Sequence, residues 1–223
     1  GYAMNAGLSF SNSSTGEGWL YDTGSHSFTD VPSGVTVDYA HRAGGPEMVA
    51  VWTNTTVYAY DIHNMNWTSL SANTHTPQMY DDFAAMFDED TSTAHLYRHT
   101  PPGWTDSSFA ANSTLRTGGV TAFVFDGAET HAYSRPSDTW ESVAATEWLD
   151  TPSYGRFSFI DETDAVYTWS EATKGWTELQ KEGDLLYSSN LMILNSTDGF
   201  TYGWDAETDT WNKTDCTPDE RHA

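Results

Sequence analysis

Arginine is scarce in this chain, and three of its six residues fall at similar points of a recurring pattern: Arg42, Arg116 and Arg156. Each follows a short stretch expected to be a strand, and tyrosines stand in the same neighbourhoods at Tyr39, Tyr80, Tyr154 and Tyr187. A guanidinium fork matches the paired oxygens of a carboxylate, and phenol hydroxyls add directed hydrogen bonds. Such a set could hold a carboxylate or an acidic sugar. Asp81, Asp82 and Asn190 occupy related places in two further units and join the candidate ligand site. The plainer reading is that the arginines pair with aspartates of their own fold.

Metal chemistry finds little footing in the spacing. His95 and His131 stand where the pattern elsewhere carries aromatic residues. His41, His63, His75 and His99 scatter through loops and strand ends, and His222 sits in the C-terminal tail. Cys216 is the only cysteine, so neither an intrachain disulfide nor a cysteine-based metal site can form. Asp88-Glu89-Asp90 and Asp161-Glu162-Thr163-Asp164 offer the oxygen ligands that Ca²⁺ takes, yet the same runs read as solvated hairpin turns. No cofactor is expected. No phosphate-cradling glycine loop and no nucleophile elbow occurs.

Six of the ten asparagines open an Asn-X-Ser/Thr sequon: Asn12, Asn54, Asn66, Asn112, Asn195 and Asn212. Asn54 and Asn195 are expected in turns, Asn66 and Asn212 beside a tryptophan on an outer strand, and none on the strand that would line a channel. Glycans need exposed acceptors in an exported protein, and these placements meet that need.

Composition narrows the partners. Asp and Glu outnumber Lys and Arg 32 to 9, for a formal net charge of −23. Nucleic acid and anionic membranes would repel such a surface. At 14% aromatic the chain is no disordered acidic tail. The charge suits strong salt, where screening removes self-repulsion, so a halophilic source is expected. No apolar run is long enough to span a bilayer. The N-terminal Gly1-Tyr2-Ala3-Met4 has neither a basic nor an apolar segment, so an export signal is expected to be already removed or never present.

Behind these residues lies a repeat. Phe28, Trp67, Trp104, Trp140, Trp176 and Trp211 are spaced 39, 37, 36, 36 and 35 residues apart. Seven residues before each stands another aromatic: Tyr21, Tyr60, Tyr97, Tyr133, Trp169 and Trp204. Nine before stand Trp19, Tyr58, His95, His131, Tyr167 and Tyr202, on the same strand face as the residues two further on. Between each pair of aromatics lie turn formers such as Asp61-Ile62-His63-Asn64-Met65-Asn66, which read as a hairpin loop. An apolar run precedes in every unit, from Leu8–Phe10 and Met48–Trp52 to Leu191–Leu194. Ahead of that run a short fourth strand is expected at Tyr2–Met4, Val37–Ala40, Met79-Tyr80, Ser113–Leu115, Ser153-Tyr154 and Leu186-Tyr187.

Four antiparallel strands per unit at this period close radially into blades. The expected fold is all-β: a six-bladed β-propeller of short four-stranded antiparallel blades. It would form a single domain over residues 1–223, with blades near 1–34, 35–73, 74–110, 111–147, 148–182 and 183–215 and a tail at 216–223.

The order aromatic, Asp, turn, Trp resembles the kelch repeat, most clearly in Tyr58-Ala59-Tyr60-Asp61 with Trp67 and in Trp204-Asp205 through Trp211. Kelch units are usually longer, and a Gly-Gly pair closes their second strand. Here Gly44-Gly45 and Gly118-Gly119 precede that strand. The resemblance implies a binding or scaffolding platform more often than an enzyme. The expected function is a secreted or cell-surface glycoprotein acting as a non-catalytic binding, adhesion or structural module. Its partner would be a glycan or a protein, with self-assembly or a place on a virion or surface layer as further possibilities. The alternative is a glycan-cleaving enzyme similar to sialidases, with a tyrosine nucleophile at the channel mouth. Sialidase Asp-boxes carry a glycine between the aspartate and the aromatic residue, which Ser137-Asp138-Thr139-Trp140 lacks.

Overall fold

The computed structural model describes residues 2–4, 7–11, 17–22, 25–33, 35, 42–44, 48–53, 55–71, 77–80, 83–99, 101–117, 121–135, 137–147, 149–150, 157–170 and 172–214. The chain divides into two compact units, Gly1–Ala111 and Asn112–Ala223. Among the described residues every regular element is a strand, and no helix is long and apolar enough to cross a membrane.

The first unit holds three sheets. The first comprises β1 (Tyr2–Met4), β2 (Gly7–Ser11), β3 (Gly18–Asp22) and β4 (Ser27–Asp30). β5 (Arg42–Gly44), β6 (Met48–Trp52), β7 (Thr56–Asp61) and β8 (Asn66–Ser71) form the second. The third is built from β9 (Gln78–Met79), β10 (Phe83–Asp88), β11 (Thr93–His99) and β12 (Pro102–Ser108). The second unit holds three more. Its first has β13 (Thr114–Thr117), β14 (Ala122–Phe125), β15 (Thr130–Ser134) and β16 (Thr139–Val143). Next come β17 (Leu149–Asp150), β18 (Phe157–Asp161), β19 (Val166–Ser170) and β20 (Trp176–Leu179). The last has β21 (Gly183–Tyr187), β22 (Leu191–Ser196), β23 (Thr201–Asp205) and β24 (Thr210–Thr214). Each sheet is an antiparallel meander in chain order, an arrangement that fits a β-propeller.

The aromatic register has a direct structural meaning. In every sheet the two aromatics seven residues apart face each other across the third and fourth strands: Tyr21↔Phe28, Tyr60↔Trp67, Tyr97↔Trp104, Tyr133↔Trp140, Trp169↔Trp176 and Trp204↔Trp211. Their ring centroids lie between 5.0 and 6.4 Å apart. Tilted and edge-on pairs at that separation contribute about 0.5–1.5 kcal/mol beyond their buried area.

The hairpin between them is equally regular. Two residues before the second aromatic the chain turns left-handed at His26, Met65, Asp138, Lys174 and Asp209, with φ between 49° and 56°. The amides of Lys174 and Asp209 close the turn onto the carbonyls of Ser170 and Asp205, at 2.9 and 2.8 Å. A side-chain oxygen on the last residue of the third strand then caps the loop amides. Asp61 Oδ1 accepts from His63 N at 2.8 Å, Asp205 Oδ1 from Glu207 N at 2.7 Å, and Ser170 Oγ from Ala172 N at 3.0 Å. This is the Asx and ST chemistry that suits aspartate and serine to turns.

Successive sheets pack face to face inside each unit. In the first, Leu20 joins Val49 and Tyr60 of the next sheet, and Trp52 and Val57 join Met86 of the one after. In the second, Phe123 and Ala132 meet Leu149, Ile160 and Trp169, while Phe157 and Phe159 meet Met192, Leu194 and Trp204. The second strands β6 and β10 are accordingly buried along their whole length. β22 alternates instead, with Met192 and Leu194 buried and Leu191 and Ile193 exposed.

Two first strands differ from expectation. The segments 37–40 and 153–154 lie outside the described residues, and the pairing strands are β5 and β17. β17 pairs Leu149 with Ile160, and Leu149 enters the cluster of Phe123 and Trp169. A two-residue strand with one apolar anchor carries almost no periodic signal. Asn195, expected in a turn, sits in β22 opposite Thr201, because the ladder continues to the turn over residues 197–200.

Candidate functional site

Of the expected arginine set, Arg116 is the best defined. It does not follow β13 but lies within it, opposite Phe123, because the ladder continues to Thr117↔Ala122. Its side chain is buried, and the guanidinium carbon sits 3.9 Å from the centre of the Phe125 ring. The two terminal nitrogens donate to backbone carbonyls, one to Glu147 O and the other to Thr146 O at 3.5 Å. The same short connector is gripped from its other side. Glu162 Oε1 accepts from the amide of Thr146 and from Glu147 N at 2.9 Å. Desolvation lowers the pKa of Arg116, while the charges of Glu162 and Glu147 act in the opposite sense. Arginine and glutamate together thus clamp the link between β16 and β17.

A carboxyl cluster adjoins this clamp. Asp161 is raised above the ordinary aspartate range by desolvation and by the charges of Asp150 and Glu162. In the run 161–164, expected as a turn or Ca²⁺ loop, the Glu162 carboxylate is spent on amides. In the run 88–90, Asp88 Oδ1 likewise caps the turn through Asp90 N at 2.9 Å and Thr91 N at 3.2 Å.

Tyr80 is buried, its ring stacked on Phe83 at 4.5 Å and its hydroxyl donating to Gln78 Oε1 at 3.3 Å. Burial drives its pKa well above the usual phenol value. Tyr187 is exposed at the end of β21, with its ring 4.7 Å from Phe159. Asn190 is exposed in the following turn, where its carbonyl accepts from Ala206 N at 2.9 Å. The last sheet therefore brings Tyr187 and Asn190 to one turn. No described hydrogen bond or ring contact joins them to Arg116. Arg42 lies within β5, its backbone opposite Val51. Tyr39, Asp81, Asp82, Tyr154 and Arg156 lie outside the described residues.

Three of the sequon asparagines are exposed: Asn66 on β8, Asn112 in the turn before β13, and Asn212 on β24. Asn195 is half-buried within β22, and Asn12 and Asn54 lie outside the described residues. His95 Nδ1 pairs with Asp106 Oδ1 at 2.7 Å across β11 and β12.

One grouping escaped the sequence reading. Asp126, Glu129 and His131 place their ligand atoms within 4.8 Å of one another at the turn between β14 and β15. Each oxygen of Asp126 already has work in the turn. Oδ1 accepts from Glu129 N at 2.8 Å and Ala128 N at 3.0 Å, and Oδ2 lies 3.0 Å from His131 Nε2. The bond from Glu129 N is the largest influence holding the carboxyl down to about 2. The signal that could have found it is the Asp-x-x-Glu-x-His spacing itself.

No family model matches this chain, and no curated protein matches it. Among solved structures it is similar to Kluyveromyces lactis Hsv2p at 11% identity, covering 76% of this chain and 60% of that one, with a TM-score of 0.38. It is also similar to the computationally designed Ika8 protein at 12% identity, over 89% and 68% of the two chains, at a TM-score of 0.39. A chain of a mitotic checkpoint complex aligns at 10% identity over 95% and 76%, with a TM-score of 0.38.

Proposed function

We propose that this chain is an exported, N-glycosylated protein whose six sheets are kelch-like blades of one β-propeller. It works as a non-catalytic binding or structural module on the outside of a cell or virion, taking a glycan or protein partner. The observation that carries this reading is the placement of the sequons. Asn66 and Asn212 are exposed on the fourth, edge strands of two sheets, and Asn112 is exposed at a turn. A glycan there displaces no core contact. The acidic surface is consistent with an exterior setting in strong salt, where counter-ions screen a charge of −23.

The geometry around Arg116 bears on where a partner would sit. Its guanidinium is held by carbonyls of the fold, which supports a binding surface of exposed groups such as Tyr187 and Asn190 over a ring of arginines. Intact-mass measurement on natively expressed material, before and after glycan release, tests the export reading. Excess mass removed by that treatment is the expected result, and a mass equal to the bare sequence sinks it. On a glycan array, a binding module returns its ligand intact; release of free sugar would make the chain a glycosidase instead.

A further inference from the structure

Among the described residues, three sheets close the turn between their second and third strands in the same way. A backbone amide donates to the carbonyl three residues on: Thr53 N to Thr56 O at 2.9 Å, Asp126 N to Glu129 O at 3.1 Å, and Glu162 N to Ala165 O at 2.9 Å. Two residues beyond that carbonyl, on the third strand, stand Tyr58, His131 and Tyr167, each half-buried. One backbone scaffold thus carries three sets of side chains.

In the second sheet the set is Thr53, Thr56 and Tyr58, and in the fifth it is Glu162, Ala165 and Tyr167. The fourth sheet has Asp126, Glu129 and His131 instead. Capping this turn takes a single side-chain oxygen. Thr53 Oγ1 accepts from the amides of Thr55 and Thr56 at 3.3 and 3.2 Å, and Asp126 Oδ1 does the same for Ala128 and Glu129 at 3.0 and 2.8 Å. The fifth sheet keeps the turn while its Glu162 carboxylate serves the amides of Thr146 and Glu147. The scaffold therefore requires neither a second oxygen at 126, nor a carboxylate at 129, nor an imidazole at 131. Those are the groups that converge. Asp126 Oδ2 lies 3.0 Å from His131 Nε2, and the ligand atoms of all three residues lie within 4.8 Å of one another.

Two carboxylates and an imidazole are a donor set with a preference. Ca²⁺ and Mg²⁺ favour oxygen alone, whereas imidazole suits zinc and its first-row neighbours. Around tetrahedral zinc, with bonds of about 2.0–2.1 Å, the ligand atoms stand about 3.3 Å apart. Asp126 and His131 reach that spacing by small side-chain rotations. The amide bonds to Oδ1 meanwhile hold the Asp126 carboxylate with Oδ2 towards the imidazole, the outer support that a metal-binding carboxylate ordinarily has.

We infer that Asp126 Oδ2, a Glu129 carboxylate oxygen and His131 Nε2 bind one divalent ion of the zinc class at the turn between β14 and β15. The imidazole then carries its hydrogen on Nδ1, and at least one coordination position is left to water. The ion ties the second strand to the third in a hairpin that other sheets close without one.

Those other sheets supply the variants. Asp126→Thr and His131→Tyr install residues of the second sheet, and Glu129→Ala follows the fifth, so each keeps side chains that this scaffold already accepts. Calorimetric titration of zinc chloride into the untagged, chelator-stripped chain is expected to show one site per chain. Zinc at a hundredfold excess over Kd should raise Tm by about 5 °C. Asp126→Thr and His131→Tyr should each weaken binding by about a hundredfold, and Glu129→Ala by about tenfold, since even the outer partners of a ligand are worth about 10–100-fold. Zinc-edge X-ray absorption on the parent chain needs no variant, and should show one imidazole among oxygen ligands. Absence of zinc uptake, or uptake unchanged in both Asp126→Thr and His131→Tyr, overturns the inference. Two or more imidazoles around the ion would place it elsewhere and overturn it too. So would Ca²⁺ binding of equal affinity that His131→Tyr leaves intact, because carboxylates alone would then hold the ion.

Discussion

The two units solve one problem with different chemistry. Both must fix one sheet against the next around a buried aromatic, and both place the fixing group at the end of the third strand. The first unit uses a carboxylate there, shared between its own hairpin amides and the hydroxyl of the following tyrosine. The second uses a serine hydroxyl that reaches a backbone carbonyl, with an indole where the tyrosine was. The carboxylate version is a buried hydrogen bond from a phenol to a carboxylate, at 3.0 and 3.4 Å. The serine version involves no charge and leaves the packing energy to tryptophan. The first unit should therefore respond to pH and to loss of its acids. The second should respond to loss of rings.

The largest expected effect tests that division. Trp169 is fully buried, between Phe123 and its own partner Trp176, at centroid distances of 6.2 and 5.5 Å. Trp169→Ala should cost about 3–5 kcal/mol in denaturant unfolding. A loss under about 1 kcal/mol would show that the second unit does not depend on its rings. Next is Asp61→Ala, which strips the hairpin cap from His63 N and Asn64 Nδ2 and leaves Tyr97 Oη without that acceptor. A buried network that loses its charged member should cost about 2–3 kcal/mol. Ser170→Ala removes only neutral bonds and should cost about half as much. Equal losses at Asp61 and Ser170 would erase the contrast.

The pH dependence sharpens it. Burial first, then the hydrogen bond to Asp22 and the charges of Asp22 and Asp61, push Tyr60 up to about 12. The folded value is above that of the unfolded chain, near 10, so the stabilisation is complete below pH 10 and is lost as pH rises towards 12. Alkaline unfolding followed at fixed temperature should show this loss, and Tyr60→Phe should flatten it between those limits. An unchanged slope in the variant would assign the alkaline loss to other phenols.

Much of this contrast was open to reading from the residues alone, and the rest was not, for a physical reason. The spacing of seven between aromatics is a local property, set by a hairpin of fixed length. Every one of the six pairs accordingly faces across two strands as the spacing requires. The aspartates that follow Tyr21 and Tyr60 were visible only as turn formers. Their second role links residues 36 to 38 apart, across a sheet interface that no periodicity encodes. Arg116 illustrates the limit from the other side. Its partners are the carbonyls of Thr146 and Glu147, and a backbone acceptor leaves no residue type to recognise. The expected ligand ring rested on residue identity, whereas burial against a connector decided what this arginine does.

The smallest effect concerns the hairpins that both units share. Met65 is 61% exposed at φ 49°, so its side chain contributes little packing and its backbone occupies the left-handed region that costs an ordinary residue about 1 kcal/mol or more. Glycine adopts that conformation without the clash, though it adds freedom to the unfolded chain. Met65→Gly should therefore gain about 0.5–1 kcal/mol, seen as a rise in the denaturant midpoint at unchanged slope. The same change at Asp209 should not gain. Its carboxylate accepts from Trp204 Nε1 at 3.1 Å and from Thr173 Oγ1 at 2.5 Å, bonds that outweigh the relief of the turn. A similar gain at both positions would mean that Asp209's contacts contribute nothing. The hairpins of the two units would then be interchangeable, whatever distinguishes the seams beside them.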